Sequence, residues 1–147
     1  MTMNRDMTSL DNQLCFAVYA ASHAFNKAYK PLLAELGITY PQYLVMLYLW
    51  EKRVAGVTEI AAALGLDTGT LSPLLKRLEK TGYISRERGT EDERQVAIRM
   101  TPQGEAKREV ASRIVRAIGK TTGCDLESAG QLVSTMKTLR RNLEKSP

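Results

Sequence analysis

Apolar residues recur along most of this chain at intervals of three and four, the spacing of one face of an α-helix. Leu14, Cys15, Val18, Ala21, Phe25, Ala28, Tyr29 and Leu32 form the first such stripe and predict a helix from Leu10 to about Leu36, with a kink or break near Pro31, which lacks a backbone donor. Gly37 ends that pattern. Thr39 then offers a side-chain cap with Pro41 close behind, and Gln42 to Glu51 predicts a second helix, apolar nearly all round and so deeply buried. A short alanine-rich helix from Glu59 to Leu64 follows, opened by Thr58 and closed by Gly65. The next helix turns Leu71, Leu74, Leu75 and Leu78 inward and stops at Gly82, with Asp67, Thr68 and Thr70 as alternative caps. Pro73 is harmless if that helix begins at Thr70, whereas a start at Asp67 predicts a distorted second turn.

The pattern then changes to strand, charged turn, strand over Tyr83–Arg88, Gly89–Arg94 and Gln95–Met100, which predicts a β-hairpin. Thr101 and Pro102 open a long helix to about Lys120, with Ala106, Val110, Ile114, Val115 and Ile118 on one face. After the interruption at Gly123, Cys124 and Asp125, a last helix from Leu126 to Glu144 turns Leu132, Val133, Met136, Leu139 and Leu143 inward. The predicted fold class is mainly α with a small β-hairpin wing. Two short helices joined by a glycine-containing turn and followed at once by a basic hairpin are the parts of a winged helix-turn-helix. The expectation is a single-domain chain in which residues 39–101 form the winged helix-turn-helix, and residues 10–36 and 102–145 a helical dimerisation region. A monomer would leave the apolar faces of the first and last helices uncovered, which predicts a homodimer.

Composition narrows the function. With 147 residues, 44% of them hydrophobic and 25% charged, the chain is an ordinary globular protein with a real core. One histidine and two cysteines, Cys15 and Cys124, cannot form a four-ligand zinc cluster within one chain, and neither CxxC nor HExxH occurs, so no metal or other cofactor is expected. No apolar run approaches the roughly 20 residues of a membrane span, and Met1–Asp11 lacks the apolar core of a secretory signal. The expectation is a cytoplasmic protein with no membrane partner.

The net charge of +5 permits an anionic partner but does not identify one. Its placement is more informative. The second helix of the helix-turn-helix would lie in the major groove, where each base pair shows a distinct hydrogen-bond pattern. Asp67, Thr68, Thr70 and Ser72 at its start carry short donors and acceptors, and Lys76, Arg77 and Lys80 carry positive charge further along. The wing tip would bring Arg94 to the minor groove, whose negative potential is strongest where it is narrow. Taken alone, Lys76, Arg77 and Lys80 read as the solvated face of an amphipathic helix.

Asp67-Thr-Gly-Thr-Leu-Ser-Pro-Leu-Leu-Lys-Arg-Leu-Glu-Lys-Thr-Gly82 followed by Asp92-Glu-Arg94 resembles the recognition helix and wing of the MarR family of dimeric bacterial repressors. Leu14-Cys-Phe-Ala-Val-Tyr19, Tyr29-Lys-Pro-Leu-Leu33 and Gly37-Ile-Thr-Tyr-Pro-Gln42 resemble the organic hydroperoxide resistance regulators (OhrR), a peroxide-sensing branch of that family. The resemblance covers residues 10 to 145, and the block around Cys15 is its most specific part. It implies a homodimer held by the terminal helices, Asp92 and Arg94 at the DNA, and a palindromic double-stranded operator whose half-sites lie about 34 Å apart.

By itself Cys15 reads as a small buried hydrophobe, and Tyr29 and Tyr40 read as core packing with a solvated hydroxyl. The resemblance gives them another reading, in which Cys15 is the redox-sensing thiol and the hydroxyls of Tyr29, Tyr40 and Tyr19 stabilise its thiolate. Tyr19 is one turn from Cys15 on the same face. Tyr29 is fourteen residues on, about 21 Å along a helix axis, so any contact with Cys15 comes from a partner subunit or from a sharp reversal of the chain. Hydrogen bonds to a thiolate lower the thiol pKa, and the thiolate attacks an organic hydroperoxide, the implied inducer, to give a sulfenic acid. Leu14, Phe16, Met46 and Leu47 are the expected apolar surround. Cys124 alone is a buried or idle thiol, but in two-cysteine members of this branch it would be the resolving thiol, condensing with Cys15 of the other subunit. His23 receives no role. The function predicted is a peroxide-sensing repressor that is not an enzyme. The alternatives are a MarR-type repressor for a reversible ligand such as an aromatic acid, and a thiol peroxidase.

Overall fold

A computed structural model describes residues 6–89 and 96–145. A short 3-10 turn at Leu10–Asn12 precedes helix α1, Leu14–Leu33. The helix starts later than its apolar stripe predicts because Gln13 is extended, with φ −84° and ψ 123°. It carries Pro31 in its last turn and ends two residues beyond it, short of Leu36.

Helix α2, Tyr40–Lys52, opens with a capping box. The Gln42 N–H donates to the Thr39 hydroxyl, and the Thr39 N–H donates to Gln42 Oε1 at 2.8 Å. At its end Arg53 holds φ 70° and ψ −46°, a region that side chains disfavour. Three contacts pin it there. Its N–H donates to the Leu49 carbonyl at 2.8 Å, its carbonyl accepts from the Met100 N–H at 2.9 Å, and its guanidinium pairs with Glu105 at 3.0 Å.

The turn at Arg53 leads into strand β1, Val54–Gly56, which the apolar pattern does not predict. Helix α3, Val57–Leu64, begins at Gly56 with no side-chain cap, so Thr58 lies inside it rather than opening it; Gly65 closes it in the left-handed region. Helix α4, Thr68–Thr81, is capped by Asp67, whose carboxylate accepts from the Thr70 N–H at 2.6 Å and the Thr70 hydroxyl at 3.1 Å. The helix is continuous through Pro73, which supplies no backbone donor to it.

Strands β2, Ile84–Arg88, and β3, Val96–Met100, pair antiparallel as predicted, with Arg86 opposite Ile98. The sheet has a third strand, because β1 pairs with the other edge of β3, Ala55 opposite Ile98, giving the order β1-β3-β2.

The long helix predicted from Thr101 is two helices, α5, Pro102–Ala106, and α6, Arg108–Thr122. Lys107 breaks it with ψ −4°, its N–H donating to the Gly104 carbonyl in a tightened turn. The same carbonyl accepts the Trp50 indole N–H at 3.0 Å. Gly104 has no space for a side chain, since a Cβ there would meet the Tyr83 carbonyl oxygen and the Met100 sulfur.

The chain divides into two compact units, Met1–Ile114 and Val115–Pro147. The first contains the main core, in which Tyr43, Met46, Leu49, Ile60, Leu71, Leu75, Leu78, Ile84 and Ile98 are fully buried. The deep burial predicted for α2 holds at Gln42, Tyr43, Val45, Met46, Leu49 and Trp50, whereas Leu44 and Tyr48 are half-buried and Leu47 is exposed. In the second unit α7, Leu126–Glu144, matches its predicted span and is capped by Asp125, which accepts from the Ser128 N–H at 2.7 Å. Its apolar residues are not inward as expected. Leu132, Val133, Met136 and Leu143 are exposed, Leu126 is 95% exposed, and no residue of α7 is buried. Leu33 is likewise the one buried residue of α1, leaving Leu14, Val18, Tyr19 and Phe25 open. No described helix is long and apolar enough to cross a membrane.

Candidate functional site

Cys15 is the second residue of α1 and is exposed, which removes the reading of a buried core thiol. Tyr19, one turn further on, is 61% exposed and packs its ring against His23 at a centroid separation of 4.3 Å. Tyr29 lies near the other end of the same unbroken helix. About 21 Å of helix axis therefore separates it from Cys15 of its own chain, and no reversal brings them together.

Tyr29 does meet Tyr40. The turn between α1 and α2 brings their rings to 4.8 Å, and Tyr43, one turn along α2 from Tyr40, packs on Tyr29 at 5.5 Å and on Tyr40 at 6.4 Å. Burial raises the pKa of Tyr29 above the ordinary phenol value, with the neighbouring Tyr40 adding to it, and burial also raises that of Tyr40. Both hydroxyls thus stay protonated at neutral pH, the form that can donate. Tyr43 is pushed up to about 12, first by burial and then by Tyr29 and Tyr40. Sequence reasoning missed Tyr43; its i+3 spacing from Tyr40 was the available signal.

The expected apolar surround does not form one cluster. Met46 is fully buried in the core, Leu14 and Leu47 are exposed, and Phe16 is half-buried. The open cavity beside the tyrosine pair, of about 540 Å³, is lined instead by residues including Lys30, Leu33, Ile38, Tyr40 and Pro41. Cys124 lies between α6 and α7, half-buried, its N–H donating to the Thr122 hydroxyl at 3.3 Å. Among the described residues no cluster of histidine, cysteine, aspartate and glutamate is placed to hold a metal ion.

At the helix-turn-helix, the residues singled out for base contact divide. Asp67 and Thr70 are engaged with each other in the cap, and these bonds from Thr70 lower the Asp67 carboxyl pKa. The Ser72 hydroxyl donates to the Thr68 carbonyl at 2.8 Å. Thr68, Lys76, Arg77 and Lys80 are exposed, and the three basic residues have no ion pair among the described residues. Arg86 of β2 joins the wing to α4 by pairing with Glu79 at 3.4 Å. Asp92 and Arg94 lie outside the described residues.

These features match known proteins along nearly the whole chain. A family model described as transcriptional regulator SarA/Rot matches residues 27–114. The HTH-type transcriptional regulator TtmR of Methylorubrum extorquens is 48% identical over 138 residues, 94% of this chain and 71% of that one. The organic hydroperoxide resistance transcriptional regulator of Bacillus subtilis is 46% identical over 141 residues, 94% of each chain. Among solved structures, AbfR of Staphylococcus epidermidis superposes with a TM-score of 0.77 at 36% identity, covering 97% of this chain and 99% of that one. AbfR has also been solved reduced on DNA, at a TM-score of 0.78 and 34% identity over 97% and 99% of the two chains. Its disulfide form superposes at 0.66 with 38% identity over 94% and 97%. The chain belongs to the MarR-type winged-helix transcriptional regulators, in the branch of the organic hydroperoxide resistance regulators.

Proposed function

We propose that this regulator is a repressor that binds a palindromic operator as a reduced homodimer and leaves it when an organic hydroperoxide oxidises Cys15. The observation that carries the reading is the Tyr29–Tyr40 pair, which is joined in one chain yet stands a helix length away from Cys15 of that chain. Two-fold pairing through the open faces of α1 and α7 gives those hydroxyls a thiolate to meet, Cys15 of the partner subunit. Tyr19 supplies a further hydroxyl one turn from Cys15.

Donation from protonated phenols favours the thiolate. The thiolate attacks the terminal peroxide oxygen: an S–O bond forms, the O–O bond breaks, and the alkoxide leaves and takes up a proton. Sulfur is oxidised by two electrons and the hydroperoxide is reduced to an alcohol. The Cys124 thiol of the partner subunit then displaces water from the sulfenic acid to give an intersubunit disulfide. In the reduced dimer α4 enters the major groove, with Thr68, Lys76 and Arg77 at bases and phosphates, Asp67, Thr70 and Ser72 shaping its first turn, and Asp92 and Arg94 carried by the wing. That AbfR has been solved both reduced on DNA and in a disulfide form supports the existence of these two states.

The test is operator binding in a gel shift with one equivalent of cumene hydroperoxide. Wild type is expected to release DNA and Cys15→Ser to stay bound; release by the serine variant refutes Cys15 as the sensor. On a non-reducing gel, Cys124→Ser is expected to lose the linked-dimer band while still forming sulfenate at Cys15. A persistent band excludes Cys124 as the resolving thiol.

A further inference from the structure

Tyr29 and Tyr40 sit on different helices and are only half-buried, so their mutual contact alone leaves each ring room to turn. Tyr43 differs. It is 1% exposed and packs against both rings. On its other side it meets the edge of Trp50 at 6.4 Å and 69°, and Trp50 is itself fixed by the hydrogen bond from its indole N–H to the Gly104 carbonyl at 3.0 Å. Gly104 is closely packed, since even a Cβ added there would strike the Tyr83 carbonyl oxygen and the Met100 sulfur. A continuous line of packed groups thus runs from the closely packed junction of β3 and α5 through Trp50 and Tyr43 to Tyr29 and Tyr40, of which Tyr40 lines the open cavity.

We infer that Tyr43 is a positioning residue for the sensor, holding the Tyr29 and Tyr40 rings so that their hydroxyls converge on one point. The inference rests on reading Cys15 as the peroxide-reactive thiol. Hydrogen bonds weaken steeply with misalignment, so a donor pair left to rotate stabilises a thiolate less than a fixed one.

The experiment is the pH dependence of Cys15 sulfenate formation with cumene hydroperoxide, followed by trapping and intact mass in the full-length protein. Tyr43→Phe keeps the ring and is expected to reproduce the wild-type profile. Tyr43→Leu is expected to shift the profile upward by about one pH unit, a tenfold loss of thiolate at a pH below the thiol pKa, with reduced-state operator affinity unchanged. An unshifted Tyr43→Leu profile overturns the inference, and so does a Tyr43→Phe profile displaced as far as that of Tyr43→Leu, since the hydroxyl and not the ring would then be at work. If Tyr43→Leu does not bind operator when reduced, Trp50→Phe replaces it, removing the indole N–H while leaving a ring against Tyr43. An upward shift in that variant supports the inference and an unchanged profile refutes it. Failure of the underlying reading is separate: a Cys15→Ser protein that still releases DNA on peroxide treatment removes the sensor itself, whatever Tyr43 does.

Discussion

At the scale of single residues, the packing demands are sharpest where two roles meet. Gly104 is a caps-and-core position at once: its N–H donates to the Thr101 hydroxyl that opens α5, and its carbonyl takes the Trp50 indole. Adding a methyl group there forces the Tyr83 backbone or the Met100 side chain to move. Gly104→Ala is expected to cost roughly 1–3 kcal/mol, the range for overpacking a tight core, measurable as a lower urea midpoint with unchanged slope. A midpoint equal to wild type refutes the closeness of that packing. The sequence shows why such positions are hard to read. Thr101 and Pro102 announce a helix start, but nothing local announces that Trp50, 54 positions earlier, needs the carbonyl of the third helical residue. Tyr43 was hidden for a related reason, since an aromatic residue in an apolar run looks like core whether or not it also braces a site.

At the scale of elements, legibility tracked how local the determining forces are. Helix α7 was read to its ends because its cap, Asp125, and its apolar repeat both lie within the segment. Strand β1 was missed because three residues carry no period, and their strand character exists only through pairing with β3. The break at Lys107 was missed for the same kind of reason. The helix-turn-helix itself was plain, and its charge layout yields a prediction. Lys76, Arg77 and Lys80 stand unpaired among the described residues, whereas Arg86 and Arg99 are held by Glu79 and Glu87. The proposed phosphate or groove contacts therefore fall to the first set; Arg94, outside the described residues, is added by the resemblance of its motif to the family's wing. Arg94→Ala is expected to reduce the slope of log affinity against log salt by about 0.9 per subunit contact, read by fluorescence anisotropy with operator DNA. An unaltered slope would place Arg94 away from the DNA.

For the whole molecule, the open apolar faces are the feature that a single chain does not explain. A helix with no buried residue and with Leu132, Val133 and Leu143 uncovered gains little from being folded alone. If a second copy covers it, Leu132→Glu is expected to halve the mass seen by light scattering to that of one 16.4 kDa chain and to weaken operator binding by at least tenfold, because each head then binds its half-site alone. A variant that stays at the wild-type mass would move the subunit contact elsewhere. The order of the sheet has a consequence of another kind, concerning the ribosome. Since β1 at Val54–Gly56 pairs with β3 at Ala97–Arg99, the two helices that read as the DNA-binding unit lie inside a loop that only β3 can close. During synthesis β1 accordingly has no pairing partner until β3 has been made. The sheet beside the DNA-reading helices is therefore complete only once residues 97–99 are present, two-thirds of the way along the chain.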